Sequence, residues 1–333
     1  MKPNLSLLVA ASALACLGAC GGGGDSAPAS GTKTVAISST NQSDVVRASL
    51  NGGLAVSFTQ GSLGGTPAAA NVTTRTHGLG VVLQRALAVT TARRQAIASA
   101  SAHPAAVTSD TTPCGVSGTL TVAFDDRDGN GMLSKGDVLT GTFAQCQDSA
   151  ALSINGAVAI TLTGDPSGMV FDASAVFQNV VVVDSGVTAT ISGTLAVEET
   201  DGSTLTDTKF TVGSGGFAVA LASSGYDDAI AFDAGMTITT SQIGGNAQTS
   251  LTLAGSFTAS SIGGRVTIAT PVPLVEDPAD AYPSAGAVRI TGASGSTVLA
   301  TVLSATQVQL QLDANGDGSF ESTSTVAWST LIP

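Results

Sequence analysis

The residues with the clearest chemistry lie between Cys114 and Cys146. The stretch Asp126-Arg127-Asp128-Gly129-Asn130-Gly131-Met132-Leu133-Ser134-Lys135-Gly136-Asp137 sets oxygen-bearing side chains at Asp126, Asp128, Asn130, Ser134 and Asp137, with glycines among them. Carboxylates crowded this closely repel one another unless a cation sits between them. The donors are hard oxygens, which suits Ca²⁺ and its six to eight oxygen ligands. Asp, Asn and Gly also favour turns for reasons unrelated to metal, so an acidic turn that binds nothing is the bland alternative. A second stretch of the same character stands near the C-terminus: Asp313-Ala314-Asn315-Gly316-Asp317-Gly318-Ser319-Phe320-Glu321.

The first stretch resembles the twelve-residue loop of EF-hand and dockerin-type proteins, which needs oxygens at positions 1, 3, 5, 7, 9 and 12. The resemblance implies Ca²⁺ ligands at Asp126, Asp128, Asn130, the Met132 carbonyl, Ser134 (directly or through water) and Asp137. Gly131 falls where the chain must turn sharply, and Leu133 at the apolar eighth position. Two departures matter. Asp137 is a shorter arm than the usual closing Glu, which lowers the expected affinity. The flanks Gly118–Phe124 and Val138–Phe143 alternate polar and apolar as strands do, where the family has helices. The loop is therefore expected at the tip of a β-hairpin. Its calcium would be structural, because no helix pair exists to open. The second stretch matches the first, third, fifth, sixth and ninth positions but has Ser324 at the twelfth. It offers Asp313, Asn315, Asp317 and Glu321 as a weaker candidate site.

The elements that must position these loops read as strands. The chain holds 40 glycines, 4% aromatic and 11% charged residues, and Thr, Ser, Ala and Val abound. That composition fits many short strands joined by glycine turns rather than a helical enzyme. Candidate strands run over 152–163, 169–183, 187–197, 204–212, 217–222 and 229–239, then 250–259, 264–270, 287–291, 297–303, 307–312 and 319–328. No good helix is expected after Pro113, and 271–283, rich in proline, reads as an excursion between sheet segments. The fold class expected is mainly β: a large antiparallel sheet, sandwich or barrel-like meander, with a short helical N-terminal segment. Helices are predicted over 41–59, capped by Ser43 and Asp44 and broken by Gly52-Gly53, and over 78–102, where Leu79, Val82, Leu83, Ala86 and Leu87 recur at helical spacing. A linker follows over 105–112.

The N-terminus reads as a processing segment. Lys2 supplies a positive start, and Leu5 to Leu17 is an apolar run too short to span a bilayer. Leu17-Gly18-Ala19-Cys20 resembles the lipobox of bacterial lipoproteins. The resemblance implies cleavage before Cys20, acylation of that cysteine (palmitate among the chains added) and, with Gly21 rather than Asp next, the outer membrane. Cys16 is the lesser candidate, since Ala13 is a poorer residue than Leu17 three places earlier. With Cys16 removed and Cys20 acylated, Cys114 and Cys146 remain in an oxidising compartment and are expected to pair. A zinc site is the rival, weakened by the lack of a nearby histidine. The organisation expected is a signal peptide over 1–19, lipidated Cys20 and flexible linker over 20–40, helical segment and linker over 41–112, and a β-rich domain with Ca²⁺-binding hairpin loops over 113–333.

A formal charge of −12 argues against nucleic acid and anionic membrane surfaces as partners. No nucleophile elbow, phosphate-cradling loop or His-Glu-x-x-His motif is present, and His77 and His103 lie near no recognisable nucleophile. Asp125-Asp126, Glu198-Glu199 and Asp227-Asp228 are adjacent pairs, which in a strand point to opposite faces. They read as solvated turn or strand-end residues rather than a catalytic pair. Taken whole, the chain is similar to a group of glycine-rich outer-membrane lipoproteins of proteobacteria with an EF-hand-like calcium loop, on the strength of Cys20–Gly24, Asp126–Asp137 and Asp313–Gly318. That resemblance implies no particular activity. The function expected is a non-enzymatic, lipid-anchored binding or surface-scaffold protein with a protein or glycan partner, on the periplasmic or cell-surface face. The alternatives are a periplasmic carrier of a hydrophobic ligand and a carboxylate-based hydrolase.

Overall fold

The structure is a computed structural model and describes residues 33–56, 108–130, 134–165, 171–184, 186–201, 205–223, 225–243, 248–277 and 279–332. The predicted helix over 78–102, His77, His103, Cys20 and Met132 lie outside the described residues.

Strands make up 65% of the structure and belong to one antiparallel sheet of 15 strands. The first seven follow one another as hairpins: β1 (Thr108–Pro113), β2 (Ser117–Asp125), β3 (Val138–Gln147), β4 (Leu152–Leu162), β5 (Phe171–Asp184), β6 (Val187–Asp201) and β7 (Leu205–Ser223). Next come β8 (Tyr226–Phe232) and β9 (Thr237–Ile243). The meander ends with β10 (Thr249–Ala259), β11 (Gly264–Glu276), β12 (Ala285–Thr291), β13 (Thr297–Ser304), β14 (Gln307–Asp313) and β15 (Ser322–Ala327). β1 occupies residues expected to be linker.

Along β2 to β14 one face is apolar and buried, as with Ile154, Val158, Ile160 and Leu162 on β4. These faces share one core with helix α1 (Gln42–Val56), whose Val45, Val46, Ala48 and Leu50 are buried. Each buried Val, Leu or Ile contributes roughly 1.5–3 kcal/mol. Gly52 and Gly53 do not break α1. They let it approach the sheet: a Cβ on Gly52 would lie 3.2 Å from Phe232, and one on Gly53 2.5 Å from Leu253. Ser43 and Asp44 lie inside the first turn rather than at the cap. Asn41 precedes the helix: its backbone C=O accepts the Val45 N–H at 2.9 Å, while its side-chain Oδ1 accepts the Ser38 N–H at 2.8 Å in the chain leading in. No described helix is long and apolar enough to cross a membrane.

A crease of β-bulges runs across the sheet. Register slips between β2 and β3 beside Gly118, between β3 and β4 beside Gln145, and between β4 and β5 beside Gly156. It slips again beside Asn179 and beside Gly193. Bulges bend the strand that carries them, so a row of them folds the whole sheet around its core. Gly193, with φ +111°, sits against Gly216 and Phe217, where a Cβ would collide. Phe177, Phe217, Phe232 and Phe257 form a row beside the crease, edge-to-face and then tilted, with successive ring centroids 5.7, 6.0 and 6.1 Å apart.

The crease also explains where strand boundaries differ from the sequence pattern. The expected single strand over 229–239 breaks into β8 and β9 at the turn Asp233–Met236, and both halves pair with β7 and β10. Conversely 204–212 and 217–222 join through the glycines into β7. β11 continues through Pro271 and Pro273 to Glu276, where an excursion was expected, because the missing N–H groups fall at bulges in its pairing with β12. A short helix, α2 (Trp328–Leu331), ends the described chain and was not anticipated.

The chain entering the domain is strapped down. The Val35 N–H donates to Arg265 O at 3.0 Å, the Ile37 N–H to Ser296 Oγ at 2.9 Å, and the Ala293 N–H to Val35 O at 2.7 Å.

Candidate metal centres

β2 and β3 form a hairpin whose ladder ends at Asp125 opposite Val138, so Asp126–Asp137 is its tip. At the other end Cys114 and Cys146 are joined in a disulfide, with Cα atoms 5.4 Å apart. The pairing closes because Gly118, at φ +77°, lets β2 approach the bulge at Gln145.

Within the tip, Asp126, Asp128 and Asp137 each bring one carboxylate oxygen to within 4.8 Å of the others. Asp137 is fully buried (0% exposed) and Asp126 nearly so (8%). Asp137 Oδ1 accepts the Arg127 N–H at 2.9 Å, and its Oδ2 accepts the Ser134 N–H and hydroxyl at 2.8 and 3.1 Å. Asp126 Oδ1 accepts the Gly129 N–H at 2.8 Å. Asp128 accepts the Ser134 hydroxyl at 2.8 Å, the Asn130 N–H at 3.0 Å and the Asn130 amide at 2.7 Å. The Ser134 hydroxyl is the foremost cause that holds the Asp128 carboxyl below its ordinary pKa, with the Asn130 N–H next. The loop leans on the end of β4, where the Lys135 N–H donates to Asp165 Oδ1 at 2.7 Å and the Gly136 N–H to Leu162 O at 2.9 Å. In sequence Asp165 reads only as the start of a turn at 165–168; its contact with the loop is not a local signal, since it lies 30 residues from Lys135.

The second acidic stretch is the tip of the β14–β15 hairpin. Asp313, Asp317 and Glu321 again bring one oxygen each within 4.8 Å, and Asp313 is 4% exposed. The two loops share one hydrogen-bond plan. The residue after the first Asp donates its N–H to the closing carboxylate: Arg127 to Asp137, and Ala314 to Glu321 at 2.8 Å. The fourth residue donates to the first: Gly129 to Asp126, and Gly316 to Asp313 at 2.6 Å. The fifth donates to the third: Asn130 to Asp128, and Asp317 to Asn315 at 2.8 Å. Both fourth-position glycines are left-handed, at φ +71° and +77°. Glu321 thus closes the second loop in nine residues where Asp137 needs twelve, its longer arm replacing the missing length. Ser324, the formal twelfth position, lies on β15 outside the loop. The Ser319 N–H is the main cause holding Asp317 below its ordinary pKa, with the Asn315 side chain second.

The donor chemistry fits a hard dication. Every converging atom is a carboxylate oxygen, and among the described residues no Lys or Arg forms an ion pair with Asp128, Asp137, Asp313 or Asp317. Arg127 pairs instead with Asp125, at 3.4 Å. Neither a family model, nor a curated protein, nor a solved structure matches this chain.

The adjacent carboxylate pairs are not all solvated, contrary to the expectation from sequence. Each splits across the sheet: Asp126, Glu199 and Asp228 are buried, while their neighbours face out. Glu198 pairs outside with Lys209 at 3.0 Å. Asp228 accepts four hydrogen bonds: from Tyr226 Oη at 2.7 Å, Ser260 Oγ at 2.8 Å, and Ser261 N and Oγ at 2.9 and 2.6 Å.

Proposed function

We propose that this protein is an outer-membrane lipoprotein whose acidic hairpin tips bind Ca²⁺ and brace a large β scaffold for surface binding. The observation that carries the reading is the convergence of Asp126, Asp128 and Asp137 at the β2–β3 tip, two of them buried. Ca²⁺ would place positive charge among three neighbouring carboxylates. Asp126, Asp128 and Asp137 would hold it, with Asn130 and Ser134 orienting them. Asp313, Asp317 and Glu321 would hold a second ion.

The lipobox-like Leu17–Cys20 supports a tether through acylated Cys20, and the glycines after it make that tether flexible. The strap through Val35 and Ile37 is where tension on the tether would enter the domain. The role is binding or scaffolding rather than catalysis, on either face of the outer membrane.

The test is a calcium titration of the soluble chain lacking Cys20, following its melting temperature, beside the Asp126→Ala/Asp128→Ala double variant. Extracellular modules bind Ca²⁺ at about 10⁻⁴–10⁻³ M. At several millimolar Ca²⁺ one such site adds about 1–2 kcal/mol of stability. The wild-type melting point should rise and the variant's rise should be smaller by the share of the first site. No response in either protein removes the calcium reading. The tether is tested separately: Cys20→Ser should release the protein from the membrane fraction, and a variant that still sediments would sink it.

A further inference from the structure

Far from the acidic tip, beside the disulfide, the outer face of β2–β5 holds a groove of about 400 Å³. Its walls carry the hydroxyls of Ser117 and Ser153 and the carboxamides of Gln145, Gln147 and Asn155. Val181 and Val183 supply aliphatic surface, and no charged side chain lines it. The sheet register sets these groups in two rows: Ser117, Gln147, Ser153 and Val183 pair in succession, and Asn155 pairs with Val181.

Gln145 stands out. It holds a left-handed backbone, φ +49°, that favours glycine. The conformation is enforced from both sides: Cys146 is tied to Cys114, and Gly118 presses on the Gln145 carbonyl so closely that a Cβ would collide. Strain of this kind persists only where the surroundings impose it, and it gathers at ligand sites. The Gln145 side chain makes no hydrogen bond to any described residue. Gln147 Oε1 accepts the Ser117 hydroxyl at 3.2 Å, and Asn155 Oδ1 accepts the Gln145 N–H at 3.3 Å. No described residue accepts the amide protons of Gln147 and Asn155, which face the groove as donors.

We propose that this groove binds a neutral saccharide. A carboxamide offers a donor and an acceptor side by side, which matches neighbouring sugar hydroxyls. The lack of charge in the walls leaves a charged ligand uncompensated, and the net charge of −12 further disfavours an anionic one. The site names a partner class for the binding role above but does not depend on calcium, because it sits at the opposite end of the β2–β3 hairpin from the acidic tip.

The experiment follows the side-chain amide NMR signals of the full soluble chain with cellobiose, maltose, lactose and N,N′-diacetylchitobiose, and with digalacturonate as the anionic control. Titrations run in Ca²⁺ and in EDTA, with folding checked by the backbone spectrum. Gln145→Gly removes the carboxamide while suiting the left-handed backbone, so it should melt at or above the wild-type temperature. At least one neutral sugar should shift the Gln145, Gln147 and Asn155 signals, with a dissociation constant on the order of 10⁻³ M for so open a site. Gln145→Gly should weaken that binding at least tenfold, and digalacturonate should bind no better than the neutral sugars. Silence from all four neutral sugars at 20 mM, or binding unchanged in Gln145→Gly, overturns the proposal. So does a variant that melts well below the wild type, since Gln145 would then be structural. A calcium titration without effect leaves these outcomes intact, so the two readings fail separately.

Discussion

Single residues in this sheet matter through where they sit against the neighbouring strand. Gly193 and Gly186 are both left-handed, at φ +111° and +88°. Only Gly193 has backbone against the place of a Cβ, while nothing lies within 4 Å of Gly186. Gly193→Ala should therefore cost about 3 kcal/mol or more, and Gly186→Ala about 1 kcal/mol, in urea unfolding. Equal costs would mean that the crease tolerates side chains. Asp228 gives a pH signature. Burial alone would raise its carboxyl, but the hydrogen bonds from Ser261, with those from Tyr226 and Ser260, outweigh burial and hold it below the ordinary value. A depressed folded pKa contributes stability above the unfolded value, about 4, and loses it as pH falls through the folded one. Asp228→Asn should flatten the loss of stability on acidification below pH about 4. Glu276 has the opposite sign, since burial raises its carboxyl. Its contribution is present at low pH and lost as pH rises through its folded pKa. Glu276→Gln should melt higher than wild type at neutral pH, with the gap closing on acidification.

Among the elements, the β2–β3 hairpin carries most of the testable chemistry. Its two ends are fastened by different means, a disulfide at one and the acidic loop at the other. The bridge spans a sequence separation of 32 residues. Cys114→Ser/Cys146→Ser should cost about 3–4 kcal/mol by the chain-entropy account. A much smaller loss, read from urea midpoints, would mean that the bulge at Gln145 stands without it. The hairpin and its tip were legible in sequence because alternation and turn residues are local signals. The closure of the second loop by Glu321 was not legible as a shortened version of the first. Counting positions from Asp313 points to Ser324, whereas the chain closes on whichever carboxylate can reach the Ala314 N–H. The strand boundaries that differ at 204–222 and 271–283 share one cause: glycine and proline inside a strand resemble strand ends, where they mark bulges. At 229–239 the difference runs the other way, since the alternation continues through Gly235, where the chain turns between β8 and β9.

At the scale of the molecule, α1, the N-terminal strap and the strands from β2 to β14 contribute to one core. One cooperative thermal transition is expected. Trp328, the only tryptophan, is buried, and its indole N–H donates to Ser304 O at 3.2 Å. Its fluorescence should change at the same temperature as the far-UV circular dichroism. Separate midpoints would mean that the two ends of the sheet unfold independently. The sequence by itself determined the class of fold, the hairpin tips and the oxygen-rich loops, because period-two alternation and turn chemistry act over a few residues. Only the tertiary structure decided the crease, the burial of one carboxylate from each adjacent pair and the groove beside the disulfide. Those depend on which strands become neighbours, and the register between distant strands is set by the packing of the whole sheet around its core.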